Sequence, residues 1–151
     1  MLDRHVDGRR RVVIENVSPE IDCGRFAINT LYRGAPSLHE LDFNAAGFEW
    51  IDCNDYQRIV VSFLRRGKNP DDRLLFVCNF TPVVRQNYRV GVPQDGHWTE
   101  ILNSDAPLYG GSQGNFGGLK TVPLPIHGRP FSLNMTLPPL GIVVFRPEGG
   151  A

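Results

Sequence analysis

The side chains of this sequence that could do chemistry are few, and their spacing does not assemble them. Glu49, Asp52 and Asp55 lie close together, with Glu100 far downstream. Two carboxyl groups held at a controlled separation across a sugar could break a glycosidic bond. No pattern singles out two of these four, so no catalytic residue is assigned. The histidines His5, His39, His97 and His127 never fall within four residues of one another. That excludes a sequence-local zinc pair, and no metal is expected. His39, next to Leu38, reads as a satisfied structural histidine in a packed helical turn. A GxSxG nucleophile elbow is absent. The glycine-rich run Tyr109 to Gly118 is not followed by the lysine of a P-loop or by the helix of a dinucleotide loop, so no nucleotide cofactor is expected.

The elements that would have to position such groups are mostly strands. Sixteen glycines and twelve prolines fall between short apolar runs, the punctuation of an antiparallel sheet protein. Arg58 to Leu64 and Leu74 to Phe80 are dense in β-branched and aromatic residues. They flank a polar turn at Lys68 to Asp72, which predicts a hairpin whose strands are buried on both faces. Further strands are predicted over Tyr88 to Val92, Trp98 to Leu102, Thr121 to Leu124, Phe131 to Leu137 and Ile142 to Phe145, with a turn at Gln94-Asp95-Gly96. Locally connected strands at this spacing imply an all-β fold, an antiparallel β-sandwich of about seven or eight strands.

Ahead of the sheet, Arg11 to Val17 reads as a strand ended by Ser18-Pro19. Ala27 to Arg33 and Ser37 to Leu41 read as short helical turns with Leu31, Leu38 and Leu41 on an apolar face, split by Pro36. Five glycines between Tyr109 and Gly118 make that stretch a loop.

Composition narrows the function classes. A chain of 151 residues suits one ordinary domain, and 41% hydrophobic residues can build its core. Sixteen basic residues balance sixteen acidic ones, which argues against electrostatic capture of nucleic acid or anionic lipid. Arg9-Arg10-Arg11 reads as a solvated approach to the first strand. Cys23, Cys53 and Cys78 are odd in number and lack a CxxC pair, so neither a disulfide framework nor a zinc site is expected. No apolar run is long enough to cross a bilayer, and there is no N-terminal signal-type segment; a reducing cytoplasm fits. The Asn79-Phe80-Thr81 and Asn134-Met135-Thr136 sequons are accordingly read as strand residues.

Trp98, Tyr109 and Phe116 leave two readings open. They could form an aromatic platform on which the apolar C–H faces of glucose rings stack. Alternatively Trp98 is a core residue on an alternating strand, with Tyr109 in an exposed loop.

Three collinear blocks resemble the C-terminal end of the 1,4-α-glucan (glycogen) branching enzymes. They are Leu38 to Arg66 (LHELDFNAAGFEWIDCND, then IVVSFLRR), Leu75 to Pro93 (LFVCNFTP and YRVGVP), and Trp98 to Leu140 (WTEILNSDAPLYGGSQGN and IHGRPFSLNMTLPPL). Leu31 to Glu40 (LYRGAPSLHE) resembles the stretch leading out of that family's last barrel helix. The resemblance implies an α-amylase-superfamily enzyme with a (β/α)8 barrel and a C-terminal β-sandwich, which moves a segment of α-1,4-glucan onto an α-1,6 linkage. The family's catalytic carboxylates lie in the barrel, for which a chain of this length has no room. No catalytic residue is therefore carried over.

Arg11 to Phe26 (RVVIENVSPEIDCGRF) is similar instead to the opening of the maltosyltransferases that extend α-glucan from maltose-1-phosphate. Together these imply a fusion remnant left by an internal deletion: residues 1–26 of foreign origin, 27–47 a helical lead-in, and 48–147 the sandwich. Leu31, Tyr32, Leu41, Phe43, Phe48 and Trp50 would then face a missing barrel and expose an apolar patch prone to self-association. The expected function is a non-catalytic β-domain of α-glucan metabolism. The alternatives are a small α-glucan-binding module and an accessory part working with a separate barrel.

Overall fold

Among the described residues eight strands form two sheets that enclose the core. The computed structural model describes residues 29–105, 115 and 117–149. The strands are β1 (Phe48–Asp55), β2 (Val60–Arg66), β3 (Arg73–Asn79), β4 (Arg85–Val92), β5 (His97–Asn103), β6 (Gly118–Lys120), β7 (Phe131–Leu137) and β8 (Gly141–Pro147). The larger sheet has the order β1-β2-β3-β8-β5-β6, and β4 pairs with β7 in a second sheet. All of these pairings are antiparallel.

Alternation along each strand builds the sandwich. Val60 and Leu64 of β2, Leu75 and Val77 of β3, Trp98 of β5, and Val143 and Phe145 of β8 point to the same side. They meet Tyr88, Val90 and Val92 of β4 and Leu133, Met135 and Leu137 of β7. Between these residues Arg89, Ser132 and Asn134 face outward on the smaller sheet, where the Arg89 Nη1 donates to Ser132 Oγ at 3.0 Å. This period of two is what a half-buried antiparallel strand requires.

The β2–β3 hairpin forms in register from Val60↔Asn79 to Arg66↔Arg73, but β2 is not buried on both faces as expected: Val61, Phe63 and Arg65 stay half-buried between Val60, Ser62 and Leu64. The connections elsewhere are less local than expected. β3 and β5 both pair with β8, and β4 pairs with β7, so the chain crosses between sheets instead of forming a meander. The turn at Gln94-Asp95-Gly96 is one such crossing. Gly96 has φ +120°, and its amide is held by Asp95 Oδ1 at 2.8 Å and Thr121 Oγ1 at 2.9 Å.

The strand expected over Thr121 to Leu124 forms earlier, as β6. Within the expected span Val122 bridges to Ser132. Pro123 and Pro125 interrupt any further ladder there. Asn79 ends β3 at 1% exposure; its amide nitrogen donates to the carbonyls of Val83 at 2.8 Å and Pro138 at 2.9 Å.

The lead-in lies on the opposite face of the large sheet. Residues 29–34 are helical, and Pro36–Leu38 forms a 3-10 turn after the break that Pro36 imposes. Leu31, Ala35 and Leu38 pack with Leu74, Phe76, Val144, Ile101 and Leu102 in a second, smaller apolar cluster. The Arg65 guanidinium ties the segment down by donating to the Leu38 carbonyl at 3.0 Å and pairing with Asp42. Glu40 Oε2 accepts the Lys68 amide at 2.9 Å. The strand expected over Arg11 to Val17, and the maltosyltransferase-like segment to Phe26, lie outside the described residues.

Candidate functional site: an aromatic sheet face

The face of the large sheet that turns away from the core carries a row of aromatic rings. Its origin is register. Trp50 of β1 pairs with Phe63 of β2, Phe63 with Phe76 of β3, and Phe76 with Val144 of β8, so all four side chains share one face. Phe48 joins them two residues before Trp50. The Phe63 and Phe76 rings stack at 5.0 Å with their planes 4° apart, and Phe48 stacks on Phe63 at 5.1 Å. Trp50 meets Phe48 edge-on at 4.8 Å and Phe63 at 5.9 Å. The row extends toward one end of the sheet, where Ile59, Phe80 and Ile142 are exposed.

The lead-in covers the part of this face near Leu74 and Val144 and leaves the rest open: Trp50 is 53% exposed. Cys78 lies on the same face, and burial pushes its thiol above the usual range, which suits an inert packing group. Cys53 is a free, exposed thiol.

The residues read as barrel-facing divide. Phe48 and Trp50 belong to the aromatic row. Leu31 turns inward onto the chain's own second cluster instead of outward. Leu41 is half-buried, with Gly47 seated against it so closely that an added Cβ would sit 2.5 Å from the Leu41 carbonyl oxygen. Tyr32 is exposed and donates its hydroxyl to Asp42 at 3.1 Å, which raises its pKa. Phe43 is fully exposed. Phe63 and Phe76 were not singled out from sequence. The signal was present, since each sits at the centre of a strand opposite an aromatic partner, but it needs the register to be read.

Trp98 takes the core alternative. It is 0% exposed, within the main cluster, and its Nε1 donates to the Gln94 carbonyl at 3.3 Å. A tryptophan sealed on both faces has none to offer a sugar ring, which removes it as a stacking platform. Tyr109 and Phe116 lie outside the described residues.

The candidate carboxylates each hold a structural partner. Glu49 pairs with Arg66 and Arg129. Asp52 Oδ2 lies 3.4 Å from His127 Nε2. Asp55 accepts the Tyr88 hydroxyl at 3.0 Å, and burial together with that bond drives the Tyr88 pKa up. Glu100 accepts the Asn115 amide at 2.6 Å. His39 is exposed against Tyr32, not packed in a turn, and His97 sits 3.1 Å from Glu148. Among the described residues no group of three or more His, Cys, Asp and Glu side chains gathers as a metal site, and no helix is long and apolar enough to cross a membrane.

The described residues thus form a two-layer antiparallel sandwich with structurally engaged carboxylates and an aromatic outer face. Residues 50–148 match the family model described as the alpha amylase, C-terminal all-beta domain, and the chain belongs to that family. It is also similar to proteins named 1,4-alpha-glucan branching enzyme. Identity is 55% over 121 residues with that of Gloeobacter violaceus, covering 80% of this chain and 16% of the relative. With that of Rubrobacter xylanophilus it is 56% over 121 residues, 80% and 17%. With that of Aquifex aeolicus it is 51% over 123 residues, 81% and 20%. The chain thus spans a fifth or less of the length of these relatives and matches their C-terminal β-domain.

Proposed function

We propose that this chain serves as the non-catalytic β-domain of a 1,4-α-glucan branching enzyme, in the cytoplasm, and that the aromatic face is its docking surface for a catalytic barrel. The observation that carries this reading is the row Phe48, Trp50, Phe63 and Phe76. Four aromatic side chains held in register form a contiguous apolar row, whose Phe76 end is packed by the lead-in and whose Trp50 end is open, the usual mark of an interaction surface. The similarity to branching enzymes supports such a barrel as the partner.

The test is co-expression with a branching-enzyme barrel lacking its own C-terminal domain. The chain should co-purify with the barrel, and Trp50→Asp with Phe63→Asp should release it. Co-purification that survives both changes would overturn the docking surface. Alone, the chain should self-associate through the same face, bind a hydrophobic dye, and leave the iodine colour of amylose unchanged. New α-1,6 linkages made by the isolated chain would overturn the non-catalytic reading. With Trp98 sealed in the core, a glucan-binding module rests on Tyr109, and unchanged mobility in glycogen-containing gels is the expected result.

A further inference from the structure

The edge of the smaller sheet is guarded by a histidine whose two ring nitrogens are both committed. Ile126 and Arg129 bridge to close a tight turn, with His127 at φ +53° and Gly128 at φ +69°. The turn sits against β4. A Cβ on Gly91 would lie 2.2 Å from the Ile126 carbonyl oxygen, so only glycine admits this approach. On the β7 side, Ser132 exchanges amide bonds with Val122 at 2.9 and 3.0 Å, covering that edge. Opposite Ser132, the Gly91 amide points away from β7 and donates to His127 Nδ1 at 3.2 Å. An unpaired strand edge is a template for unwanted pairing, and His127 occupies it.

Because Nδ1 accepts an N–H, it carries a lone pair, and the ring proton resides on Nε2. That nitrogen faces Asp52 Oδ2 at 3.4 Å, while Asp52 Oδ1 accepts the Asn54 amide at 2.9 Å. The neutral imidazole thus satisfies both neighbours, one as acceptor and one as donor. A second proton can go only to Nδ1, where it would meet the Gly91 N–H, donor against donor. The imidazolium would then keep its attraction to Asp52 and lose its hold on β4.

The other charges nearby keep this change local. Arg129 of the same turn pairs with Glu49 of β1, which also holds Arg66 of β2, so the turn stays anchored. Asp55 and Arg58 lie beyond Asp52, and from β4 Tyr88 gives its hydroxyl to Asp55.

We propose that the His127 turn is a pH-sensitive guard on β4: neutral His127 closes the edge at Gly91, and protonation opens it while the sandwich stays folded. The experiment is an amide hydrogen-exchange series followed by NMR from about pH 8 to about pH 5, the interval spanning ordinary imidazole titration. The His127 ring nitrogens are recorded in parallel. Gly91 protection should fall roughly three- to tenfold as the ring takes its proton, the size expected of one lost hydrogen bond, while Val77 in the core stays protected. His127→Asn, which suits the left-handed turn before Gly128 and keeps an acceptor oxygen, should hold Gly91 protection constant across the series. Constant Gly91 protection through the ring's titration would overturn the proposal. So would parallel loss at Val77, or an acid-dependent opening that persists in His127→Asn.

Discussion

Leu64 and Phe63 are adjacent on β2 and meet opposite fates. Leu64 points into the sandwich at 0% exposure, among side chains from both sheets. Phe63 points to the other side, where its neighbours are rings on its own sheet and water reaches the row's edge. One face is completed by this chain itself; the other is completed by it only in part. An apolar side chain stabilises a fold to the extent that burial removes it from water. The inner residues therefore specify the fold, while the outer aromatics hold free energy still available for association.

The sharpest way to break this comparison is to truncate both kinds of residue. Trp98→Ala should destabilise by about 3–5 kcal/mol, and Leu64→Ala by about 2–5 kcal/mol, because each leaves a cavity between the sheets. Against a typical native stability of roughly 5–15 kcal/mol, Trp98→Ala should remove a large share of the total. Trp50→Ala on the open face should cost about 1 kcal/mol or less and should weaken self-association instead. Urea unfolding measures the first set and sedimentation velocity the last. An equal loss of stability from Trp98 and Trp50 would erase the distinction between the faces.

A second contrast lies at the sandwich rim. The Tyr88 hydroxyl has a pKa raised above the ordinary 10.0 by burial and by Asp55. A raised folded-state value means that this group's stabilisation is present below the unfolded pKa and is lost as pH rises through the folded one. Stability should therefore fall on the alkaline side, above about pH 10, and Tyr88→Phe should flatten that limb. Alkaline absorbance titration with parallel denaturation checks both. The smallest expected effect concerns Ile59, a β-branched residue at φ +51° beside the open face. Ile59→Asn should stabilise by about 0.5–1 kcal/mol by relieving the left-handed strain, read as a small rise in Tm.

Runs rich in β-branched and aromatic residues were legible in advance. β2, β3, β5, β7 and β8 fall where the apolar runs place them, and Pro36 divides the lead-in as its missing amide requires. β1 was not read as a strand, for a physical reason. Glu49, Asp52 and Asp55 interrupt its apolar pattern, and each is accommodated by an arginine, histidine or tyrosine brought from elsewhere in the chain. Such pairings exist only after folding. The aromatic face was half legible for the same reason: Phe48 and Trp50 are conspicuous in sequence, but Phe63 and Phe76 join them only through cross-strand register. Trp98 shows the converse. Its alternating strand fits a wall of the core and a sugar platform equally well until burial decides between them.

Asn115 closes the span between β5 and β6 in a way that reaches beyond its own packing. Its side-chain amide takes both backbone groups of Thr136, accepting the N–H at 2.8 Å and donating to the carbonyl at 3.1 Å, while Glu100 receives its other proton. One side chain thereby imitates a strand neighbour. The entry into β6 is pinned to β7 and β5 at once, so its placement depends on a single amide and not on strand pairing alone.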